Sequence, residues 1–178
     1  MKKLISLATF LLFFYSKYAI GMHEKLIYGY VEKVELVEKH FALSAKLDTG
    51  AKTASLSAIN IQQFEKDDKI YLRYMVPSKG HSVEFISEYQ GKVKIKTRAH
   101  EESPGSHDIL APIRRPVVLM LVRLGERECL IRVNLTNRKR FNYPLLLGRE
   151  AIKEFYGIVD PSLKFVVKLK KKLKNEVQ

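Results

Sequence analysis

The sequence predicts an all-β domain with one short helix near its C-terminal end. Short stretches in which apolar and polar side chains alternate recur along the chain, and turn residues such as Gly, Pro, Asn and Asp separate them. Only one segment spaces its apolar residues as a helix does. The chain has 178 residues, of which 46% are hydrophobic, so it can bury one sizeable core and hardly two. We therefore expect a single domain of the barrel or sandwich class.

Residues 1–21 have the organisation of a secretory signal peptide. Two lysines near the start precede an apolar run over residues 4–15, which is shorter than the roughly 20 residues that a membrane-spanning helix needs. Ala19 and Gly21 are small residues in the arrangement expected for cleavage after Gly21. The expected location is therefore periplasmic or extracellular, and an uncleaved membrane anchor is the alternative.

Residues 22–178 form the expected single domain, which ends in a basic tail. The whole chain carries 32 Lys and Arg against 19 Asp and Glu, and loss of the three lysines in residues 1–21 lowers the formal charge from +13 to +10. This charge attracts anionic partners, so the basic run at 168–174 is a candidate contact with an anionic surface, although a solvated face is the simpler interpretation. No nucleic-acid-reading motif accompanies the charge, and nucleic acid is not an expected partner.

The first half of the domain predicts strands in close succession. Residues 26–37 and 41–47 alternate apolar and polar side chains, and the second of these strands leads directly into Asp48. Further strands are predicted at 55–59, 70–76, 83–86 and 92–97.

The second half begins with a predicted loop over residues 99–115, where Pro and Gly residues interrupt the alternation. Loops of this kind often cover functional sites. The helix is predicted at residues 149–156, with Gly157 as its stop. Strands are predicted before and after this helix at 117–124, 129–135, 143–147, 158–160 and 165–169.

Two short motifs stand at the ends of predicted strands. Asp48-Thr49-Gly50-Ala51 follows one strand, and Leu147-Gly148-Arg149 ends another immediately before the helix. Taken alone, Asp-Thr-Gly is also compatible with an ordinary turn that ends a strand. The second motif and further segments of the chain together form a more specific pattern than Asp-Thr-Gly alone.

These motifs resemble those of retropepsin-like aspartic peptidases, and most closely those of a bacterial subgroup often labelled "ATP-dependent zinc proteases". The segments that carry the resemblance lie in order along the chain, at 45–58, 115–118, 133–138, 143–149 and 159–162. The resemblance implies a retropepsin-like closed barrel, the acid-protease fold, with one short C-terminal helix. Ser57 and Asn137 stand where the subgroup usually has His and Asp, which leaves the roles of these two positions open.

The resemblance implies that Asp48 is the catalytic residue of an aspartic endopeptidase that acts on peptide or protein substrates. Peptide hydrolysis needs an activated water and a polarised carbonyl group, and two carboxylates that share one proton supply both. The chain contains a single Asp-Thr-Gly sequence. The second carboxylate must then come from Asp48 of a second copy, so the expected active form is a homodimer.

The residues after Asp48 are expected to support the loop. Gly50 permits a tight turn, Thr49 can hydrogen-bond across the two-fold axis, and Ala51 keeps the loop small. The resemblance implies a second group of supporting residues behind the loop, namely Leu147, Gly148 and Arg149.

Neither a metal nor a cofactor is expected. His81, His100 and His107 do not have the spacing of zinc ligands, and no glycine-rich loop for ATP phosphates is present in the sequence. His107 and Asp108 lie in the 99–115 loop, which would close over a substrate as a flap. The alternative function is a non-catalytic binding module that keeps the fold and holds an anionic cell-envelope ligand.

Overall fold

The computed structural model describes residues 24–78, 80–95 and 112–169. These residues form a 10-stranded sheet and one α-helix, α1, at Arg149–Glu154. A 3-10 turn, Val37–Lys39, follows the first strand. The strands are β1 (Leu26–Leu36), β2 (Phe41–Leu47), β3 (Ala54–Ser57), β4 (Ile59–Lys66), β5 (Lys69–Ser78), β6 (His81–Ile95), β7 (Ile113–Leu124), β8 (Arg127–Thr136), β9 (Leu145–Leu147) and β10 (Gly157–Lys164).

The sheet closes on itself into a barrel. Its strand order is β10-β1-β2-β9-β3-β8-β7-β6-β5-β4, and an additional pairing joins β1 to β7. This pairing sets residues 34–36 of β1 against residues 122–124 of β7, while the beginning of β1 pairs with β10. The predicted all-β closed barrel with one short C-terminal helix is therefore confirmed.

The barrel interior is filled by the inward-facing residues of its strands. Four of these residues come from different strands and are fully buried, with 0% exposure: Leu36, Leu56, Val122 and Leu145. Phe155, directly after α1, is also fully buried and ties the helix to this core. Among the described residues, no helix is long and apolar enough to cross a membrane.

Strands β4, β5 and β6 extend the sheet beyond the barrel. Strand β6 pairs with β7 at the barrel wall and with β5 on its other side, and β4 forms the outer edge. Tyr74 and Phe85 stack with ring centroids 6.0 Å apart. The Tyr74 hydroxyl and Ser87 Oγ lie 3.0 Å apart in a buried hydrogen bond. Tyr74 and Phe85 belong to the same hydrophobic core cluster as the barrel residues, so the extension shares the core of the barrel.

The sequence predicted no separate strand at β4, and its boundaries for β6 were wrong. The strand predicted at 55–59 covers most of β3 and only the first residue of β4. Strand β4 continues to Lys66, but most of its side chains are exposed, so no apolar alternation marks it in the sequence. Strand β6 is continuous where the sequence predicted two strands. The pairing register shifts between Tyr89 and Lys92, and Gly91 has a φ of +87°, so a bulge carries the strand through the apparent break.

Two further differences lie in β7 and after β10. Strand β7 begins at Ile113, inside the predicted loop, because Arg114 and Arg115 pair with β6 despite the proline that follows them. The predicted strand at 165–169 is absent, and β10 instead runs through Pro161 to Lys164 as an outer strand beside β1.

Glu32 explains the course of the chain after β10. Its carboxylate is 0% exposed and accepts hydrogen bonds from the backbone N–H groups of Gly29, Val166 and Val167 at 2.7, 3.1 and 3.2 Å. Backbone N–H groups that would otherwise pair with a strand are therefore satisfied by a side chain. The predicted signal peptide, most of the predicted loop and the end of the basic tail lie outside the described residues.

Candidate active site

Strand β2 delivers Asp48 to one end of the barrel. Strand β9 runs parallel to β2 with Leu47 opposite Leu147. One residue further on, the backbone N–H of Asp48 donates a hydrogen bond to the Leu147 carbonyl at 2.9 Å. The two motifs that stand far apart in the sequence are thus adjacent in the fold.

The Asp48 loop is a tight turn closed by its own backbone. The Gly50 N–H donates to Asp48 Oδ1 at 2.9 Å, and the Ala51 N–H donates to the Asp48 carbonyl at 3.2 Å. A Cβ added to Gly50 would lie 3.2 Å from Asp48 Oδ1, which is a tight contact. The turn therefore fixes one carboxylate oxygen and favours glycine at position 50.

Gly148 and α1 pack directly behind this loop. A Cβ at Gly148 would lie 2.6 Å from the Thr53 carbonyl oxygen and 2.8 Å from the Lys52 carbonyl carbon, so only glycine fits without movement of the backbone. The first backbone N–H groups of the helix, from Arg149 and Glu150, donate to the carbonyls of Ala51 and Lys52 at 2.9 and 3.1 Å. The loop thereby satisfies donors that a helix cannot pair internally.

Arg149 also holds the loop through its side chain. Its Nη1 donates to the carbonyl oxygens of Thr49 and Gly50 at 3.0 and 3.1 Å. An arginine is always charged at ordinary pH, so these are charge-assisted hydrogen bonds. Leu147, Gly148 and Arg149 therefore all contact the loop that carries Asp48, Thr49, Gly50 and Ala51.

The Asp48 carboxylate is partly exposed and lies in a positive environment. Its side chain is 27% exposed, and Lys46 Nζ lies 3.3 Å from Oδ2. Burial raises the pKa of Asp48, but the Lys46 ammonium group and the N–H groups of Gly50 and Ala51 outweigh it, so the pKa lies below its ordinary value. In the single chain these contacts favour the ionised form of Asp48 over the protonated form.

Arg138 is a second feature of this region. It is 6% exposed, its Nε donates to the Tyr143 carbonyl at 3.2 Å, and its guanidinium carbon lies 4.4 Å from the Phe141 ring centroid. Burial and the charge of Arg115 lower the pKa of Arg138 to about 10, and the negative charge of Asp48 opposes them. Arg138 thus lies within electrostatic reach of the Asp48 carboxylate.

The end groups of Arg138 are available for further contacts. Its Nη1 and Nη2 make no hydrogen bond to the part of the chain that the structure describes. The sequence did not identify Arg138 as a site residue, although it lies within the 133–138 segment that carries the family resemblance. Its position as a basic residue at the end of this segment was the one sequence feature that could have indicated a role in the site.

The two positions that depart from the subgroup pattern both lie next to Arg138. Ser57 Oγ accepts a hydrogen bond from the backbone N–H of Arg138 at 3.3 Å. Asn137 Oδ1 accepts one from the Lys139 N–H at 2.9 Å, which closes a local turn. Both side chains therefore support the backbone that carries Arg138.

The described residues contain no group of three or more His, Cys, Asp or Glu side chains placed to hold a metal ion. His81 lies at the start of β6, with its ring centroid 6.4 Å from that of Phe41. His100, His107 and Asp108 lie outside the described residues, as does most of the proposed flap.

A closed β-barrel with an Asp-Thr-Gly loop at the end of one strand, backed by a Gly-Arg turn into a short helix, defines the retropepsin-like class. The chain belongs to the RimB-like family within that class. The profile of this family, described as "Retropepsin-like aspartic endopeptidase RimB", matches residues 27–170.

Curated relatives carry a different name. A "Probable alpha-L-glutamate ligase" of Shewanella pealeana is 31% identical over 124 residues, which are 70% of this chain and 26% of that protein. A protein of the same name from Desulfotalea psychrophila is 32% identical over 122 residues, 68% of this chain and 25% of that protein. The chain thus spans about a quarter of the length of these relatives.

A solved structure is also similar. The crystal structure of a protein of unknown function from Legionella pneumophila has a TM-score of 0.70 and 52% sequence identity, covering 82% of this chain and 100% of that one.

Proposed function

We propose that this protein is an aspartic endopeptidase whose active site forms when Asp48 of two copies meet across a two-fold axis. The observation that carries the proposal is the Asp48 loop itself. Its carboxylate is partly exposed, and the backbone of the loop is fixed by hydrogen bonds to β9 and α1. The chain offers a single Asp-Thr-Gly loop, so a second copy must supply the second carboxylate.

The two carboxylates would divide the chemistry between them. The ionised carboxylate takes a proton from water while the water oxygen attacks the peptide carbonyl carbon, and the protonated carboxyl group gives its proton to the carbonyl oxygen. The resulting diol then collapses. The peptide nitrogen leaves with the proton taken from water, and the diol hydroxyl returns a proton to the second carboxylate.

The proposed substrates are peptides rich in glutamate. The relatives named as probable glutamate ligases contain a region similar to this chain, which supports a link to glutamyl peptides. Arg138 adds physical support, because its guanidinium group is buried and its end nitrogens make no hydrogen bond to the described residues, which suits the group to binding a carboxylate. Export through residues 1–21 remains part of the proposal.

The test is hydrolysis of glutamate-rich peptides, followed by mass spectrometry, with the Asp48→Asn variant. Asn keeps the shape of the side chain but cannot accept the proton from water, so cleavage should fall by several orders of magnitude. Asp68→Asn is the matched control, since Asp68 lies in the exposed β4–β5 turn and Asn tolerates its φ of 56°. Full activity of Asp48→Asn, or equal loss in the control, would contradict the proposal.

A non-catalytic binding module is the second candidate function. The formal charge of +13 and the Lys46–Asp48 ion pair favour it, because a carboxylate paired with a cation need not be catalytic. This function predicts salt-sensitive binding of an anionic polysaccharide or peptide that Asp48→Asn does not weaken, with no cleavage of a diverse peptide library.

A further inference from the structure

Lys46 makes a direct charged contact with Asp48. Lys46 lies on β2, and Asp48 directly follows the strand two positions later. The Asp48 N–H still bonds to the Leu147 carbonyl, so the alternation of the strand places both side chains on the same face. Lys46 Nζ lies 3.3 Å from Oδ2, while Oδ1 accepts the Gly50 N–H at 2.9 Å. Each oxygen of the carboxylate thus has its own partner: a backbone N–H at Oδ1 and the Lys46 ammonium group at Oδ2.

None of the other charged groups described nearby forms an ion pair with the Asp48 carboxylate. Arg149 donates to the carbonyls of the loop, and Lys52 Nζ lies 3.7 Å from Glu150 Oε1. Arg138 donates to the Tyr143 carbonyl, and Arg115 Nη1 lies 3.5 Å from the side-chain oxygen of Asn134. Among the described residues, Lys46 is therefore the cationic side chain in contact with the Asp48 carboxylate.

This contact matters for a pair of carboxylates that must share a proton. Two aspartates held close together keep one proton because the doubly ionised pair is costly. A lysine beside each carboxylate reduces that cost, since the doubly ionised pair then faces two positive charges. The shared proton is accordingly lost at a lower pH, and the pair titrates as one unit.

We propose that Lys46 is a positioning residue of the Asp48 pair, and that its ammonium group sets the upper pH limit at which the pair retains its shared proton. The inference rests on the proposed function and deepens it. Lys46 does not itself touch the reacting atoms. It acts through Asp48, and its 46% exposed side chain leaves it replaceable without loss of the core.

The first experiment measures kcat/KM against pH for a single peptide, so that ionisation of the substrate is common to all variants. Lys46→Met removes the charge and should move the alkaline limb of the profile to higher pH. Lys46→Arg keeps a cation and should restore the alkaline limb toward its original position. Lys52→Met removes a neighbouring exposed lysine and should leave the profile in place. An alkaline limb that Lys46→Met does not move would overturn the proposal.

The second experiment does not depend on activity. The Asp48 carboxyl carbon is followed by ¹³C NMR during a pH titration of the wild-type chain and of Lys46→Met. The midpoint should rise in the variant and stay unchanged in Lys52→Met; an unchanged midpoint in Lys46→Met overturns the inference. Lys46→Gln provides a second neutral variant if Lys46→Met does not fold. Because the titration needs no substrate, its result is separate from the Asp48→Asn test of peptidase activity.

Discussion

The backbone N–H of Asp48 donates a hydrogen bond to the carbonyl oxygen of Leu147 at 2.9 Å. This bond joins the end of β2 to the end of β9, immediately before Gly148 and the helix. The position of the Asp48 carboxylate therefore depends on residues about a hundred positions away in the chain. Substitutions in this second segment should affect the site without touching the carboxylate.

Gly148→Ala should destabilise the protein. The added Cβ would meet backbone atoms of Lys52 and Thr53 at 2.6 to 2.8 Å, and backbone cannot move aside cheaply. Overpacking of this kind costs about 1–3 kcal/mol, which urea unfolding measures as a lower midpoint. Gly50→Ala is the contrasting variant, because its Cβ meets only Asp48 Oδ1 at 3.2 Å. Equal stability of Gly148→Ala and wild type would show that the loop and helix do not pack as described.

Arg149→Met should lower kcat clearly while the free energy of unfolding changes little. The variant loses the hydrogen bonds to the Thr49 and Gly50 carbonyls, so the carboxylate is less well placed. Misplacement of a catalytic group costs on the order of 10- to 100-fold in rate. Arg132→Met is a suitable control, because Arg132 makes its hydrogen bond to the Gln90 carbonyl in an exposed part of the sheet. Unchanged kcat in Arg149→Met would exclude a role for this anchor.

Arg138→Met should discriminate between substrates. Loss of a hydrogen bond to a charged group costs about 1.5–3 kcal/mol, so KM for glutamate-rich peptides should rise roughly tenfold or more. KM for neutral peptides should change little. Parallel kinetics with matched glutamate and glutamine peptides measure the difference. An equal change for both peptides would mean that Arg138 supports the fold and does not read the substrate charge.

Glu35 should make the fold sensitive to acid. Burial raises the pKa of Glu35, but its hydrogen bonds to His40 and Arg123 and their positive charges outweigh this, so the pKa lies below the ordinary 4.5. A carboxyl group with a lowered pKa in the folded state stabilises the fold above its unfolded pKa, and this contribution is lost as the pH falls through the folded pKa.

The matching variant is Glu35→Gln, which should cost about 2 kcal/mol near neutral pH through the loss of charged hydrogen bonds. Unfolding free energies from urea titrations between neutral and acid pH measure both effects. The difference between wild type and variant should shrink below about pH 4.5, the ordinary value for glutamate. A constant difference across this range would rule out Glu35 as the acid-sensitive group.

The sequence was informative where local pattern decides structure. Strand β2 could be predicted from its alternation, with the bounds that the structure shows, and so could the order of the motifs that meet behind Asp48. The contact between Lys46 and Asp48 was also implicit, because a strand places alternate side chains on one face.

Other features depend on distant parts of the chain. Arg138 lies in the connection between β8 and β9, and its burial depends on residues such as Phe141 and Tyr143 folding back around it. Strand β4 has mostly exposed side chains, so its pairing with β5 determines its length. Neither property leaves a periodic pattern in the sequence.

The proposed mechanism requires that two copies of Asp48 form one active site. A fixed amount of wild-type protein, mixed and equilibrated with increasing Asp48→Asn protein, tests it directly through the rate of peptide cleavage. Random pairing places about half of the wild-type chains in mixed dimers at equal amounts, so the rate should fall to roughly half and continue to fall with excess variant. A rate that stays constant throughout would contradict the shared site and assign the chemistry to a single chain.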